Sequence, residues 1–298
     1  MINIASGGAI LLKILVDNKE LVASLGAVGK TVTTTFAGIT AAATALTVGI
    51  TKKAVEAFAQ YEQLVGGVET LFGSAAEKVI KNSERAYKTA GVSANQYMQT
   101  VTGISASLIS SLAGDVDRAA DIADMALIDM ADNAAKMGSE LESIQTAYSG
   151  FAKGQYMLLD NLKLGYGGTK TEMERLLKDA QAISGIEYDI SNLADVYSAI
   201  HVIQEELGIT GTTAKEAATT ISGSAGMMKA SWENVLTAIA GGGSIDQAID
   251  DLVYSTSAYF ENLLPVVEKS LSGVGTFIST AAPKFVQIVA KSDRKSVV

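Results

Sequence analysis

The chain has no cysteine, one histidine, one tryptophan and two prolines among its 298 residues. Without cysteine it can form no disulfide, no thiol nucleophile and no cysteine-ligated zinc site. Its single histidine, His201, is accompanied by no Gly-x-Ser-x-Gly elbow, no second zinc-ligating histidine and no glutamate in a recognisable lytic motif. We therefore predict that the protein is not an enzyme and requires no cofactor and no metal.

Charge is also scarce, because only 18% of the residues are charged and the formal net charge is −9. A nucleic-acid surface needs clustered Lys and Arg to neutralise phosphates. We therefore predict no specific nucleic-acid binding.

The sequence is rich in small residues and in residues that favour helices. Hydrophobic residues make up 48% of the chain, and much of that share is alanine, which lets helices pack closely. Only Pro265 and Pro283 interrupt the helical pattern. The predicted fold class is mainly α, a multi-helix, partly extended assembly of amphipathic and alanine-rich helices, with a short N-terminal strand at Ala9–Val16.

Helix starts are predicted where Ser or Thr precedes Glu or Gln by three residues, because these side chains cap the first amides of a helix. One further helix is predicted from the stripe Leu193, Val196, Tyr197, Ile200, Ile203 and Leu207. The predicted capping boxes are Ser74/Glu77, Ser93/Gln96, Ser139/Glu142, Thr171/Glu174, Thr213/Glu216 and Ser244/Gln247.

Three regions are predicted along the chain. Residues 1–54 hold the strand and an uncharged Ala/Thr-rich helix, and residues 55–240 form a helical core. Gly241–Gly243 is the best linker candidate, so residues 241–298 form a third region of apolar helices.

The uncharged run Thr31–Thr51 has the length of a membrane-spanning helix. Its composition fits a membrane span less well, because Ala and Thr dominate and strongly apolar residues such as Phe36, Ile39 and Leu46 are few, and its small residues also suit a soluble bundle. Both interpretations, a packed helix and a membrane-inserting segment, stay open.

The stretch Asp115–Leu177 is the most informative part of the sequence. A glycine-free run rich in Ala and Met predicts a long helix that Gly138 ends. Asp117, Asp121 and Asp124 share one face of that helix, where we expect them to meet water. The glycine loop before Lys170 lacks the Gly-Lys order and spacing of a phosphate-binding loop, so we predict a structural turn.

Three segments of this stretch, in this order, resemble the core region of phage tail tape measure proteins, and a looser resemblance runs from about Phe58 to Trp232. The middle segment is Ala147–Gly150. The residues that carry the first and third segments are Asp129, Met130, Ala131, Asp132, Asn133 and Gly138, then Asp160, Asn161, Leu162, Gly165, Tyr166, Gly167, Gly168, Thr169 and Lys170.

The resemblance implies a structural tail-assembly protein of a long-tailed phage or prophage, in a truncated or partial form. Such a protein templates tail length inside the tail tube, and a fully helical chain of 298 residues would span at most ~450 Å. Implied partners are the tail tube protein, tail assembly chaperones, tail-tip proteins and further copies of the chain. The implied location is the tail lumen of the virion, preceded by the bacterial cytoplasm during assembly. The alternative function is a membrane-inserting channel for DNA entry into the host.

Overall fold

The computed structural model describes residues 50–293, with side chains through residue 270 except residue 268. The strand predicted at Ala9–Val16 and all but the last two residues of the run Thr31–Thr51 lie outside this range. Within it, no helix is long and apolar enough to cross a membrane.

The described residues are mainly α, which confirms the predicted fold class, and they contain no strand. Two short 3₁₀ helices, Gly73–Ala75 and Leu159–Leu162, join the α-helices. The α-helices are α1 (residues 50–72), α2 (Ala76–Thr89), α3 (Ala94–Ser111), α4 (Val116–Met137), α5 (Leu141–Phe151), α6 (Lys170–Ser184), α7 (Leu193–Glu206), α8 (Thr212–Thr219), α9 (Ile221–Ile239) and α10 (Ile245–Asp293).

Helix α4 lies at the centre, packed against α2, α3, α5, α7 and α8. Its small residues allow this, because Ala119, Ala120, Ala123 and Ala126 are all fully buried. Gly138 ends the helix in the left-handed conformation with φ of 60°, as the sequence predicts. The first seven helices share one continuous hydrophobic core around this alanine face.

The stripe predicted on α7 is buried at five of its six positions. Val196, Tyr197 and Ile200 are at most 1% exposed. Leu207 is 49% exposed, because α7 ends at Glu206 and the backbone turns away before Leu207 reaches the core.

Two of the six predicted capping boxes are confirmed, since Ser93 and Ser244 accept hydrogen bonds from the amides of Gln96 and Gln247. The other four are wrong. Helix α6 is capped by Thr169 two residues earlier than predicted, and α2, α5 and α8 have no side-chain cap of their own. The Ser/Thr-x-x-Glu pattern also occurs inside turns and helices, so it does not by itself fix a helix start.

Gly241–Gly243 forms the tight turn of a helical hairpin in which α9 and α10 pack side by side. A Cβ on Gly242 would lie 2.6 Å from the Thr237 methyl group, so the turn closes onto α9. Helix α10 then continues through Pro265 and Pro283. The domain boundary at residue 241 stays a prediction.

The core makes a direct prediction about α7. Ile200→Ala should lower the free energy of unfolding by about 2–5 kcal/mol, because a fully buried side chain leaves a cavity. Leu207→Ala should change it by about 0.5 kcal/mol or less. Equal losses in urea titrations of the two variants would contradict the observed end of α7.

Candidate functional site

The polar residues of the first resemblance segment are buried inside the molecule. Asp129, Asp132 and Asn133 are each at most 1% exposed, on a helix whose neighbouring positions are hydrophobic. Buried carboxylates and carboxamides are costly unless they find partners. These three residues therefore mark the candidate site.

Asp129 pairs with His201 on α7. The two carboxylate oxygens lie 2.8 and 3.0 Å from Nδ1 of the imidazole. Asp129 is 1% exposed, whereas the His201 side chain is 28% exposed, so the imidazole forms the outer half of the pair. Sequence reasoning gave His201 no partner, because 72 residues separate the two positions.

Burial raises the pKa of Asp129 to about 6, against the opposing effect of its hydrogen bond with His201. That same hydrogen bond raises the pKa of His201 above its ordinary value. Nearby Asp132 and Glu205 push both pKa values in the same upward direction. The pair therefore holds protons more tightly in the folded protein than in the unfolded chain.

Asp132 caps a helix that has no cap of its own. Its carboxylate oxygens accept hydrogen bonds from the amides of Gly211 at 2.6 Å and Thr213 at 2.7 Å, at the start of α8. A helix N-terminus presents unpaired amides and partial positive charge, which a carboxylate satisfies. Helix α4 thus holds the beginning of α8 from 79 residues away in the sequence.

Asn133 connects α4 to the third resemblance segment. Its side-chain amide donates to the carbonyl of Leu162 at 2.9 Å, and Leu162 is itself fully buried. Around this contact, the ammonium of Lys163 donates to the carbonyl of Met137, and Asn161 donates to Ser143. The first and third segments are therefore packed together.

The middle segment contributes Tyr148, which is fully buried in the core. The Tyr148 hydroxyl accepts a hydrogen bond from Gln204, and its carbonyl accepts one from the Tyr197 hydroxyl. Complete burial raises the pKa of Tyr148 well above its ordinary value. The phenol is thus held neutral inside the core.

The glycine loop is closed by its own side chains. The Arg175 guanidinium lies over the Tyr166 ring at 4.2 Å and donates to the carbonyl of Gly165. The Tyr166 hydroxyl donates to Asp179, and the amide of Gly167 donates to Glu172. The amide of Gly167 is therefore already hydrogen-bonded within the chain. That the loop is a structural turn and not a phosphate site stays a prediction.

Gly168 is required at its position by a close approach of the backbone. A Cβ there would lie 2.2 Å from the carbonyl oxygen of Met157 and 3.4 Å from Asp160. The following residue, Thr169, starts α6 by accepting a hydrogen bond from the amide of Glu172. Lys170 lies at the surface, 3.7 Å from Glu174.

Met130 and Ala131 of the first segment lie in the hydrophobic core. Met130 is fully buried, and Ala131 is 5% exposed. They lie on α4 between the three polar residues, so hydrophobic and polar burial alternate along one helix.

The acidic face of α4 meets neighbouring helices as well as water. Asp121 forms an ion pair with Lys78, and Asp124 accepts a hydrogen bond from the Tyr97 hydroxyl at 2.6 Å. Asp117 is exposed. Within residues 50–293, no three His, Asp or Glu residues are arranged to hold a metal ion.

Comparison with family models gives no match, and no curated protein or solved structure matches the chain.

The Asp129–His201 pair predicts a specific pH dependence. Both folded-state pKa values are raised, so the native state binds more protons and the pair's contribution to stability falls as pH rises. The Asp129 part is lost between about pH 4 and 6, and the His201 part above about pH 6.5. Subtracting the urea-unfolding free energy of the Asp129→Asn/His201→Gln variant from that of the wild type should give a difference that decreases by on the order of 2 kcal/mol from pH 4 to 8. A constant or rising difference would show that the pair does not titrate as described.

The glycine loop yields a paired prediction. Gly168→Ala should lower the free energy of unfolding by about 1–3 kcal/mol, because its Cβ collides with a backbone carbonyl. Gly66→Ala, in the interior of α1 with nothing within 4 Å of its Cβ, should raise it by about 0.5–1 kcal/mol. Thermal unfolding of the two variants measures both, and a stabilised Gly168→Ala protein would refute the close approach.

Proposed function

We propose that this chain is a structural tail-assembly protein of a long-tailed bacteriophage or prophage, of the tape measure class. The observation that carries the proposal is that the three segments quoted for the resemblance meet in one place. Asn133 donates a hydrogen bond to Leu162, and Asn161 donates one to Ser143 on α5. Helix α5, which contains the middle segment, packs against both α4 and the 3₁₀ helix Leu159–Leu162. The packing of these three segments into one unit supports a structural role for the motif.

The hydrogen bonds of the buried polar residues support a structural role over a catalytic one. Asp129, Asp132 and Asn133 form hydrogen bonds with other parts of the same chain. The Asp129–His201 pair resembles half of a catalytic triad, but no serine or threonine hydroxyl is hydrogen-bonded to the imidazole within the described residues. We therefore propose no reaction at this site.

The packed core changes how this chain could set tail length, because it is much shorter than a single extended helix of the same number of residues. A packed domain of about 200 residues has a radius of gyration of about 16–17 Å, whereas one helix of that length would extend ~300 Å. If the chain stayed folded inside the tube, most of its length would come from long single helices. Helix α10 is such an element, because its 49 residues correspond to ~74 Å against ~29 Å for the 19 residues of α9.

In this proposal, tube subunits polymerise around the chain, and assembly chaperones hold it beforehand. Tail-tip proteins and further copies of the chain are the other partners. The acidic net charge of −9 suits a protein that occupies a tube through which DNA passes, because it does not bind phosphates. The alternative, a membrane channel for DNA, depends on the run Thr31–Thr51, almost all of which lies outside the described residues.

The proposal predicts that tail length follows the length of α10. Deleting residues 271–288, five helical turns, should shorten tails by ~27 Å, and duplicating them should lengthen tails by the same amount. Tail lengths in negatively stained electron micrographs of the assembled particles give the measurement. Unchanged tails in both variants would refute the template role, and normal particle yield serves as the control for folding.

A further inference from the structure

Helix α10 extends past the hairpin that it forms with α9. Near its middle, the Asn262 side-chain amide donates to the carbonyl of Thr220 at 3.2 Å. Thr220 directly precedes α9, which begins at Ile221, so the remainder of α10 runs beyond the end of its hairpin partner. The helix continues to Asp293, which adds ~46 Å.

The apolar residues at the start of this extension are incompletely covered. From residue 256 to residue 270, apart from residue 268, no residue is buried. Leu264 and Val267 are half-buried, and Val266 is 47% exposed. An apolar face that the chain itself does not cover marks a contact with another molecule.

The spacing of the apolar residues indicates what kind of partner fits this face. Eight successive positions, at alternating steps of three and four residues, are all apolar, which is the heptad repeat of a coiled coil. A repeat of 3.5 residues forms a continuous seam on a helix that winds around another helix. The a positions are Leu264, Leu271, Ile278 and Phe285, and the d positions are Val267, Val274, Ala281 and Ile288.

The same segment has little helix propensity of its own. It contains Pro265, Gly273, Gly275 and Pro283, and a proline inside a helix costs about 3 kcal/mol. All four lie outside the a and d positions, so they do not interrupt the seam. Most helices in proteins owe their stability to the packing of an apolar face. A helix that continues to Asp293 therefore needs a partner along this seam.

Charge favours further copies of the same chain as that partner. Each chain has a net charge of −9, so whole copies repel one another. Between residues 264 and 288 the only charged residues are Glu268, Lys269 and Lys284, so the acidic excess of the chain is absent from this segment. Every copy also carries the same seam, as an association of identical subunits requires.

We propose that residues 264–288 of three or four copies of the chain associate as a coiled-coil bundle. Leucine at a with β-branched residues at d favours three or four helices over two. Apolar residues at two g positions, Leu263 and Phe277, widen the seam in the same direction. The bundle gives the self-association in the proposed function a defined surface, but it rests on the heptad repeat and not on a role in tails.

The test is the mass of the full-length protein in solution, measured by sedimentation equilibrium at about 1–100 μM. We expect three or four times the monomer mass of 30.9 kDa. Ile278→Asp should weaken association at least ~100-fold, because each copy would bury an unpaired carboxylate in the seam. Ser279→Asp adds the same charge at the neighbouring b position, outside the seam, and should leave the mass unchanged.

A second pair separates loss of association from loss of folding. Leu271→Asp should act like Ile278→Asp, and Ser272→Asp should act like Ser279→Asp, since the effect follows the heptad position. The near-ultraviolet circular dichroism of buried Tyr148 and the other core tyrosines should be the same in all four variants.

Three results would each overturn the proposal: a wild-type monomer or dimer at every concentration, equal masses of the seam and b-position variants, or a wild-type monomer that floats with phosphatidylcholine vesicles. The last result would assign the apolar face to lipid. Failure of the proposal would leave the tail-length experiment unaffected.

Discussion

The fold depends on burying three polar side chains on one helix and giving each a partner from a different part of the chain. Asp129 reaches α7, Asp132 reaches the start of α8, and Asn133 reaches the 3₁₀ helix that contains Leu162. Removing a single partner from such a contact leaves an uncompensated buried group, which is far more costly than the contact is stabilising. The three contacts therefore specify which segments surround α4 more than they add net stability.

The alanine face of the same helix has the complementary role. Alanine buries little area but permits close approach, so several helices can surround α4 without large side chains to fix their positions. Close packing of small residues tolerates sliding of one helix along another. Directional hydrogen bonds at the polar positions supply the register that the small residues do not. We interpret the resemblance motif as this combination of close approach and fixed register.

The sequence predicted the local features well. The spacing of the alanines predicted the buried face of α4, and Gly138 predicted the end of that helix. These features depend on neighbouring residues only. The glycine loop did not reveal that Gly168 touches a carbonyl eleven residues earlier, because that contact requires the folded turn.

The contacts that the sequence did not predict join residues far apart in the chain. Nothing near His201 indicated that Asp129 would face it, and Asp132 replaced the local cap that Thr213 was expected to provide. A signal existed in the composition of α4, since acidic residues among buried alanines require partners. It did not say which partners, because those come from segments at sequence separations of 72 and 81 residues.

Hydrogen exchange at the start of α8 tests this account most directly. If Asp132 holds that helix from α4, the amides of Gly211 and Thr213 should exchange only through global unfolding in the wild type, although α8 is only eight residues long. In Asp132→Ala the same two amides should exchange through local opening, at least ~10-fold faster relative to the amides of α4. Unprotected amides in the wild type, or identical protection in the variant, would contradict the claim that buried polar contacts from α4 organise the fold.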